Sequence, residues 1–254
     1  MKFRPCIDIH NGAVKQIVGG SLQDEGDAAK ENFVSQKSAA EYAKMYREDG
    51  VVGGHIILLN KKNSPNYEAT LNQGLSALQA YPGGLQIGGG ITATNAAQFL
   101  DAGASHVIVT SYLFQDGQLS VERLMKLADS IGKEHVVIDL SCRKKDGFYM
   151  VVTDRWQTFT KLAVDSELLQ ILEPFCDEFL IHGVDVEGKK NGMEAELVTM
   201  LSKYDGNPVT YAGGLHSMKA IEQFRELSGG KLDYTVGSAL DIFGGKLEYK
   251  KLIR

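Results

Sequence analysis

The sequence predicts an α/β protein, a (β/α)8 TIM barrel built from two similar half-barrels, and three observations carry that reading. Short apolar runs alternate with longer amphipathic stretches along all 254 residues, the pattern of repeated βα units. Runs such as Val136-Val137-Ile138 and His106-Val107-Ile108-Val109 are apolar on consecutive positions, as expected of parallel strands covered on both faces. A strand, Gly-Gly, helix, strand segment occurs twice, at 85–111 and 209–238, about half a chain length apart. A strand–helix unit cannot bury its apolar face alone, so the repetition implies two stacked halves.

Taken in order, strands are expected near 3–9, 52–59, 85–88, 106–110, 136–140, 178–182, 209–212 and 233–236. Amphipathic periodicity places helices over 38–49, 67–80, 94–102, 121–131, 165–173, 193–203 and 217–227, with a short one after 238. The five prolines are scattered and no Pro/Ser-rich linker divides the chain, so a single domain over 1–254 is expected. Two connections exceed the usual βα length. Residues 19–35 are polar, start with Gly19-Gly20 and carry Asp24, Glu25 and Asp27. Residues 141–164 contain the turn Lys145-Asp146-Gly147 followed by β-prone Phe148 to Val152. Both follow odd-numbered strands and belong on the face where barrel chemistry takes place.

Composition narrows the function classes. With 27 basic and 32 acidic residues the net charge is −5, so no overall positive field favours nucleic acid. No run of 18 apolar residues is present, and no membrane partner is expected. The chain opens directly into apolar, strand-like residues, so no leader peptide is expected unless one has been trimmed. Cys6, Cys142 and Cys176 are odd in number and lack CxxC spacing, which fits free thiols and argues against zinc.

Gly89-Gly90 and Gly213-Gly214 fall where a strand is expected to end and a helix to start. Glycine there allows close backbone approach to an anion, and a helix N-terminus would add N–H donors. Thr110, Ser111, Gly237 and Ser238 end the neighbouring strands, the serines and threonine adding hydroxyl donors. Two equivalent anion sites on opposite sides of the barrel mouth are therefore expected, and the paired occurrence outweighs two unrelated tight turns. Asp8 and Asp139 close the first and fifth strands, again about half a chain apart, so they should face each other across the mouth. Two opposed carboxylates suit paired general acid–base work; two structural loop caps are the plainer alternative. His182 ends the sixth strand, as a substrate or aspartate partner or as a satisfied packing residue. His55, at a strand start, reads as core. Trp156, the single tryptophan, stands beside Arg155 in the second long loop, suited to stack on a planar heterocycle or to anchor the loop.

The ordered set CIDIHNGAVKQIVGG, NFVSQ, IGGGIT, VIVTS, VIDLSCRKKDG, WQT, EFLIHGVDVEG, YAGG and GSALDIFGG resembles the phosphoribosylformimino-aminoimidazole carboxamide ribotide isomerases of histidine biosynthesis, in their eukaryotic form. The resemblance covers nearly the whole chain. It implies an Amadori rearrangement of an N-linked aminoaldose ribosyl group to the aminoketose, on a substrate carrying two phosphates, with no cofactor and no metal. It further implies that Asp8 is the base at ribose C2′, that Asp139 is the acid at the ring oxygen, and that the two Gly-rich sites hold the phosphates. A monomer, working in the cytoplasm or the plastid stroma, is expected on the same grounds.

Departures from the bacterial pattern limit the transfer. Bacterial members carry threonine where this chain has His182, in a segment aligned through Gly188. They also carry an Asp-Leu-Asp-Gly run where this chain reads Leu58-Leu59-Asn60-Lys61. His182 replacing the threonine's orienting role is a hypothesis. The sister cyclase, an ammonia-using synthase subunit, shares the half-barrels and both aspartates, but carries lysine where Gln16 aligns. Added activity on phosphoribosylanthranilate is a narrower possibility. A non-catalytic phosphate-ligand-binding barrel would not need the Asp8–Asp139 pair.

Overall fold

The computed structural model describes residues 1–18, 21, 22, 28–154, 156–189 and 192–253. Eight parallel strands form the barrel wall: β1 (Cys6–His10), β2 (Gly54–Leu58), β3 (Leu85–Gly88), β4 (His106–Val109), β5 (Val136–Asp139), β6 (Glu178–His182), β7 (Val209–Ala212) and β8 (Asp233–Tyr234). Each pairs with its neighbour in sequence, from Cys6 beside His55 round to Tyr211 beside Tyr234. A parallel bridge between Phe3 and Tyr234 closes the circle. Arg4 N donates to Tyr234 O at 2.8 Å and Tyr234 N donates to Lys2 O at 3.0 Å, so no wall edge is left unpaired.

The helices that follow are α1 (Ala39–Glu48), α2 (Tyr67–Ala80), α3 (Ala96–Asp101), α4 (Val121–Ile131), α5 (Ser166–Leu172), α6 (Ala195–Leu201), α7 (Met218–Ser228) and α8 (Tyr249–Leu252). Local sequence starts several of them. Ser38 and Glu41 make a reciprocal capping box on α1, while Ser120, Asp165 and Ser217 cap α4, α5 and α7.

Alternation along the strands sorts side chains between two cores. Outward positions such as Ile7, Ile56, Ile87, Val107, Ile138, Phe179 and Tyr211 join the helices in the main apolar core. Inward positions form a small separate cluster of Ile108, Val137, Leu180 and Ala212, with Ile57 against it. Below this plug lies a polar layer in which buried Glu178 accepts from Gln86 Nε2 at 3.0 Å and Thr210 Oγ1 at 2.7 Å. Arg4 completes it, 3.5 Å from Glu178 and 2.9 Å from Asp233. Above the plug, two residues further along their strands, stand Asp139 and His182. A packed apolar plug thus separates the polar layer at the bottom of the barrel from Asp139 and His182 at its C-terminal rim.

Strands also form at and before the first long connection, and in the second the expected turn at Lys145-Asp146-Gly147 joins two of them. Ala13–Ile17 turns back antiparallel on β1, and Glu31–Val34 pairs with it in turn. Cys142–Lys145, Phe148–Thr153 and Thr158–Ala163 form a three-stranded antiparallel sheet over the rim. No helix of the described residues is long and apolar enough to cross a membrane.

Candidate active site

The loops at the C-terminal ends of the strands enclose a cavity of about 410 Å³, within the range of small-molecule sites. Every site residue named from sequence lines it except Arg155, which falls outside the described residues.

Gly89 and Gly90 have φ of +110° and +69°, and Gly213 and Gly214 have +137° and +71°. The two halves of the chain therefore repeat one left-handed backbone step at equivalent strand ends. A Cβ on Gly89 would collide with Leu58 O, beside strand β2, and one on Gly213 would meet Gly183 O at 2.9 Å, just past β6. Gly89 and Gly213 thus demand glycine, and with no Cβ the backbone here can approach a ligand in the cavity closely. The helices expected to start at the Gly-Gly pairs begin later, α3 only at Ala96 and α7 at Met218. The intervening residues make their own turn, in which Asn95 Oδ1 accepts from Thr92 N at 2.7 Å, so loop amides rather than helix termini lie at these strand ends. The cradles sit on β3–β4 and β7–β8, half a barrel apart.

Asp8 rises from β1, and Gln16 Nε2 donates to its Oδ2 at 3.1 Å. Gln16 also packs against Gly237, where a Cβ would strike its Oε1. Asp8 is thereby tied to the second cradle. Burial pushes the Asp8 carboxyl up to about 7, with the negative charge of Glu187 adding to it and His182 and Gln16 opposing. Glu187 is itself raised by burial.

Across the lumen, Asp139 at the end of β5 is 8% exposed and receives three donors. His182 Nδ1 lies 3.0 Å from Oδ1, Ser141 Oγ lies 3.2 Å from Oδ1, and Thr110 Oγ1 lies 3.1 Å from Oδ2. Burial works against a charged His182 imidazole. The charge and hydrogen bond of Asp139, with Glu187 and Asp8, outweigh it and lift His182 to about 9. His55 packs edge-on below it, centroids 6.2 Å apart. Burial, then the neighbouring His182, drives His55 down to about 3. His55 is therefore the neutral core histidine expected, and His182 is an aspartate partner rather than simple packing.

Trp156 reaches the same cluster, its Nε1 donating to Ser141 Oγ at 3.0 Å. Three residues at the site were not singled out from sequence: Glu187, Ser141, and Gln16 as the partner of Asp8. Ser141 stands two residues beyond Asp139, a spacing that could have exposed it. Glu187 lies past the end of β6, where no strand periodicity marks a side chain. Among the described residues no group of three potential metal ligands occurs.

Residues 2–248 match the family model described as histidine biosynthesis protein. A chloroplastic protein of Medicago truncatula is 53% identical over the whole of this chain and 81% of its own length. Its name is 1-(5-phosphoribosyl)-5-((5-phosphoribosylamino)methylideneamino)imidazole-4-carboxamide isomerase. Proteins with the same isomerase name from Neurospora crassa and Saccharomyces cerevisiae are 47% and 45% identical, covering 96% and 97% of this chain and 94% of theirs. With a closed barrel, its repeated rim and this span of similarity, the chain belongs to the histidine biosynthesis protein family.

Proposed function

We propose that this protein is an aldose–ketose isomerase of histidine biosynthesis. It converts the N-linked aminoaldose ribosyl group of a bisphosphorylated imidazole carboxamide ribotide to the aminoketose by an Amadori rearrangement. The observation that carries this is the pairing of Asp8 with the Asp139–His182 cluster across one cavity, between two equivalent glycine cradles. A substrate with a phosphate at each end spans the mouth, and its reacting ribose lies between the two acid–base groups.

Protonation of the furanose ring oxygen breaks its bond to C1′, and the nitrogen lone pair forms an iminium. Asp8 then removes the C2′ proton, giving an enolamine. Return of that proton to C1′ and loss of the hydroxyl proton at C2′ leave the ketose. A carboxyl titrating near 7 is suited to take and return one proton, work worth roughly 10²–10⁴ in rate. The Asp139 side supplies the ring-oxygen proton. The reading needs no cofactor, metal, nucleic acid or membrane, and takes the protein as a monomer in the cytoplasm or plastid stroma.

The test is turnover of the aminoaldose, followed by absorbance without ammonia, for wild type and Asp8→Asn. Turnover lost in the variant with substrate affinity retained is the expected result. Wild type that is inert there but consumes the ketose once ammonia is added would be a cyclase.

A further inference from the structure

Asp139 is engaged on both oxygens. Oδ1 takes the His182 Nδ1 donor at 3.0 Å and Ser141 Oγ at 3.2 Å, and Oδ2 takes Thr110 Oγ1 at 3.1 Å. Ser141 Oγ in turn accepts from Trp156 Nε1, which leaves the hydroxyl proton for the carboxylate. Both carboxyl oxygens are thus already taken as acceptors. To act as an acid it would have to bind a proton against three donors already in place. His182 is different. Its Nδ1 is committed to Asp139, whereas Nε2 makes no hydrogen bond among the described residues, and the ring lines the cavity. The groups facing it are Asp139 on β5, Asp8 on β1, Glu187 in the loop after β6 and His55 on β2. Three of these four are carboxyl groups, and His55 is kept neutral by burial, so the surroundings favour an imidazolium.

Resting on the isomerase reading, we propose that His182 Nε2–H is the proton donor to the furanose ring oxygen and that Asp139, paired with Nδ1, is the residue that positions the ring. His182 gives its proton as the C1′–O bond breaks, with that bond's electron pair going to oxygen. It recovers a proton from the C2′ hydroxyl when the enolamine becomes the ketone, while Asp8 carries a proton from C2′ to C1′. Both groups end the cycle as they began it. The ordering also fits neutral pH. Between about 7 at Asp8 and about 9 at His182, the base is ionised while the acid still holds its proton.

The experiment is the pH dependence of kcat/KM for wild type, His182→Gln and Asp139→Asn, alongside the titration of His182 by NMR in ¹³C-histidine-labelled wild type. Wild type should give a bell with its alkaline limb near 9, matched by the His182 resonance. His182→Gln should lose about 10²–10⁴-fold in kcat, change KM only a few-fold and lose the alkaline limb. Asp139→Asn should move that limb to lower pH, because the imidazolium loses the Asp139 partner that raises it. A His182→Gln enzyme within about threefold of wild type, or one that keeps the alkaline limb, would overturn the proposal. So would a His182 resonance titrating below about 7, a readout on wild type that survives a variant's failure to fold. Wild type without aminoaldose turnover would instead sink the isomerase reading itself.

Discussion

Trp156 Nε1 donates to Ser141 Oγ at 3.0 Å, and through that hydroxyl the rim loop reaches the Asp139 carboxylate. The loop backbone is unusual at this point, with left-handed φ at Asp154 (+51°) and Trp156 (+68°). Such residues cost about 1–3 kcal/mol each and persist only when tertiary contacts hold them. The contacts are Trp156 on Ser141, Asp154 N on Ser111 Oγ at 3.3 Å, and Gln157 Nε2 on Leu22 O at 3.2 Å.

Loss of the indole donor should therefore loosen both the loop and the carboxylate. Trp156→Phe keeps an aromatic ring but cannot donate, and should lower kcat/KM by about fivefold, the worth of one hydrogen bond of about 1 kcal/mol. As Trp156 is the only tryptophan, its emission reports the loop directly. Ser141→Ala should shift that emission to the red; an unchanged maximum would mean the bond does not hold the ring in place.

Asp8 trades stability for chemistry. Its carboxyl titrates near 7 in the folded protein against an ordinary 3.8, so stability falls as pH rises through 7 and the carboxylate is ionised inside the rim. Asp8→Asn carries no such charge. Its stability advantage over wild type should widen by about 1–2 kcal/mol between roughly pH 5.5 and 8, from the pKa difference. Urea unfolding at the two pH values measures this, and a gap independent of pH would refute it.

Gly89 and Gly90 should not be equivalent. A Cβ at Gly89 meets the Leu58 carbonyl, whereas one at Gly90 meets nothing within 4 Å. Gly89→Ala should lose about 3 kcal/mol or more and raise the inhibition constant of inorganic phosphate at least tenfold, whereas Gly90→Ala pays only the left-handed penalty of about 1–2 kcal/mol. Thermal unfolding and phosphate inhibition of the two variants separate these outcomes.

The polar layer beneath the plug should be structural and not catalytic. Glu178 is 4% exposed and satisfies Gln86, Thr210 and Arg4. Glu178→Ala leaves the buried Gln86 and Thr210 donors without an acceptor, while Arg4 keeps its pair with Asp233 at 2.9 Å, and should cost about 1–3 kcal/mol per stranded donor. Turnover per folded molecule should stay within about twofold. A selective loss of kcat without loss of stability would contradict the separation of the two ends of the lumen.

Much of this was legible in the chain itself. The eight wall strands are short apolar runs because both faces are buried, and burial of that kind leaves a local mark on composition. The Gly-Gly pairs and strand-end aspartates were legible for a related reason, since a closed parallel barrel sends every strand's end to one rim. The hairpin about Lys145-Asp146-Gly147 was legible from its turn and the β-prone run after it, but the strand Ala13–Ile17 was not. Ala13–Ile17 carries the polar Lys15 and Gln16, yet both are buried, Lys15 by its 2.6 Å pair with Glu31 and Gln16 by Asp8. Their strand character depends on partners that only the fold supplies.

The sequence alone determined the barrel, its twofold repeat and the identity of the rim glycines and carboxylates, because periodicity and backbone conformation are local properties. Tertiary structure alone decided which carboxylate accepts three donors and which is raised toward neutrality, and that His182 rather than His55 carries charge. Those are consequences of distance and dielectric between groups far apart in the chain, where burial and neighbouring charge outweigh any preference a residue type has by itself.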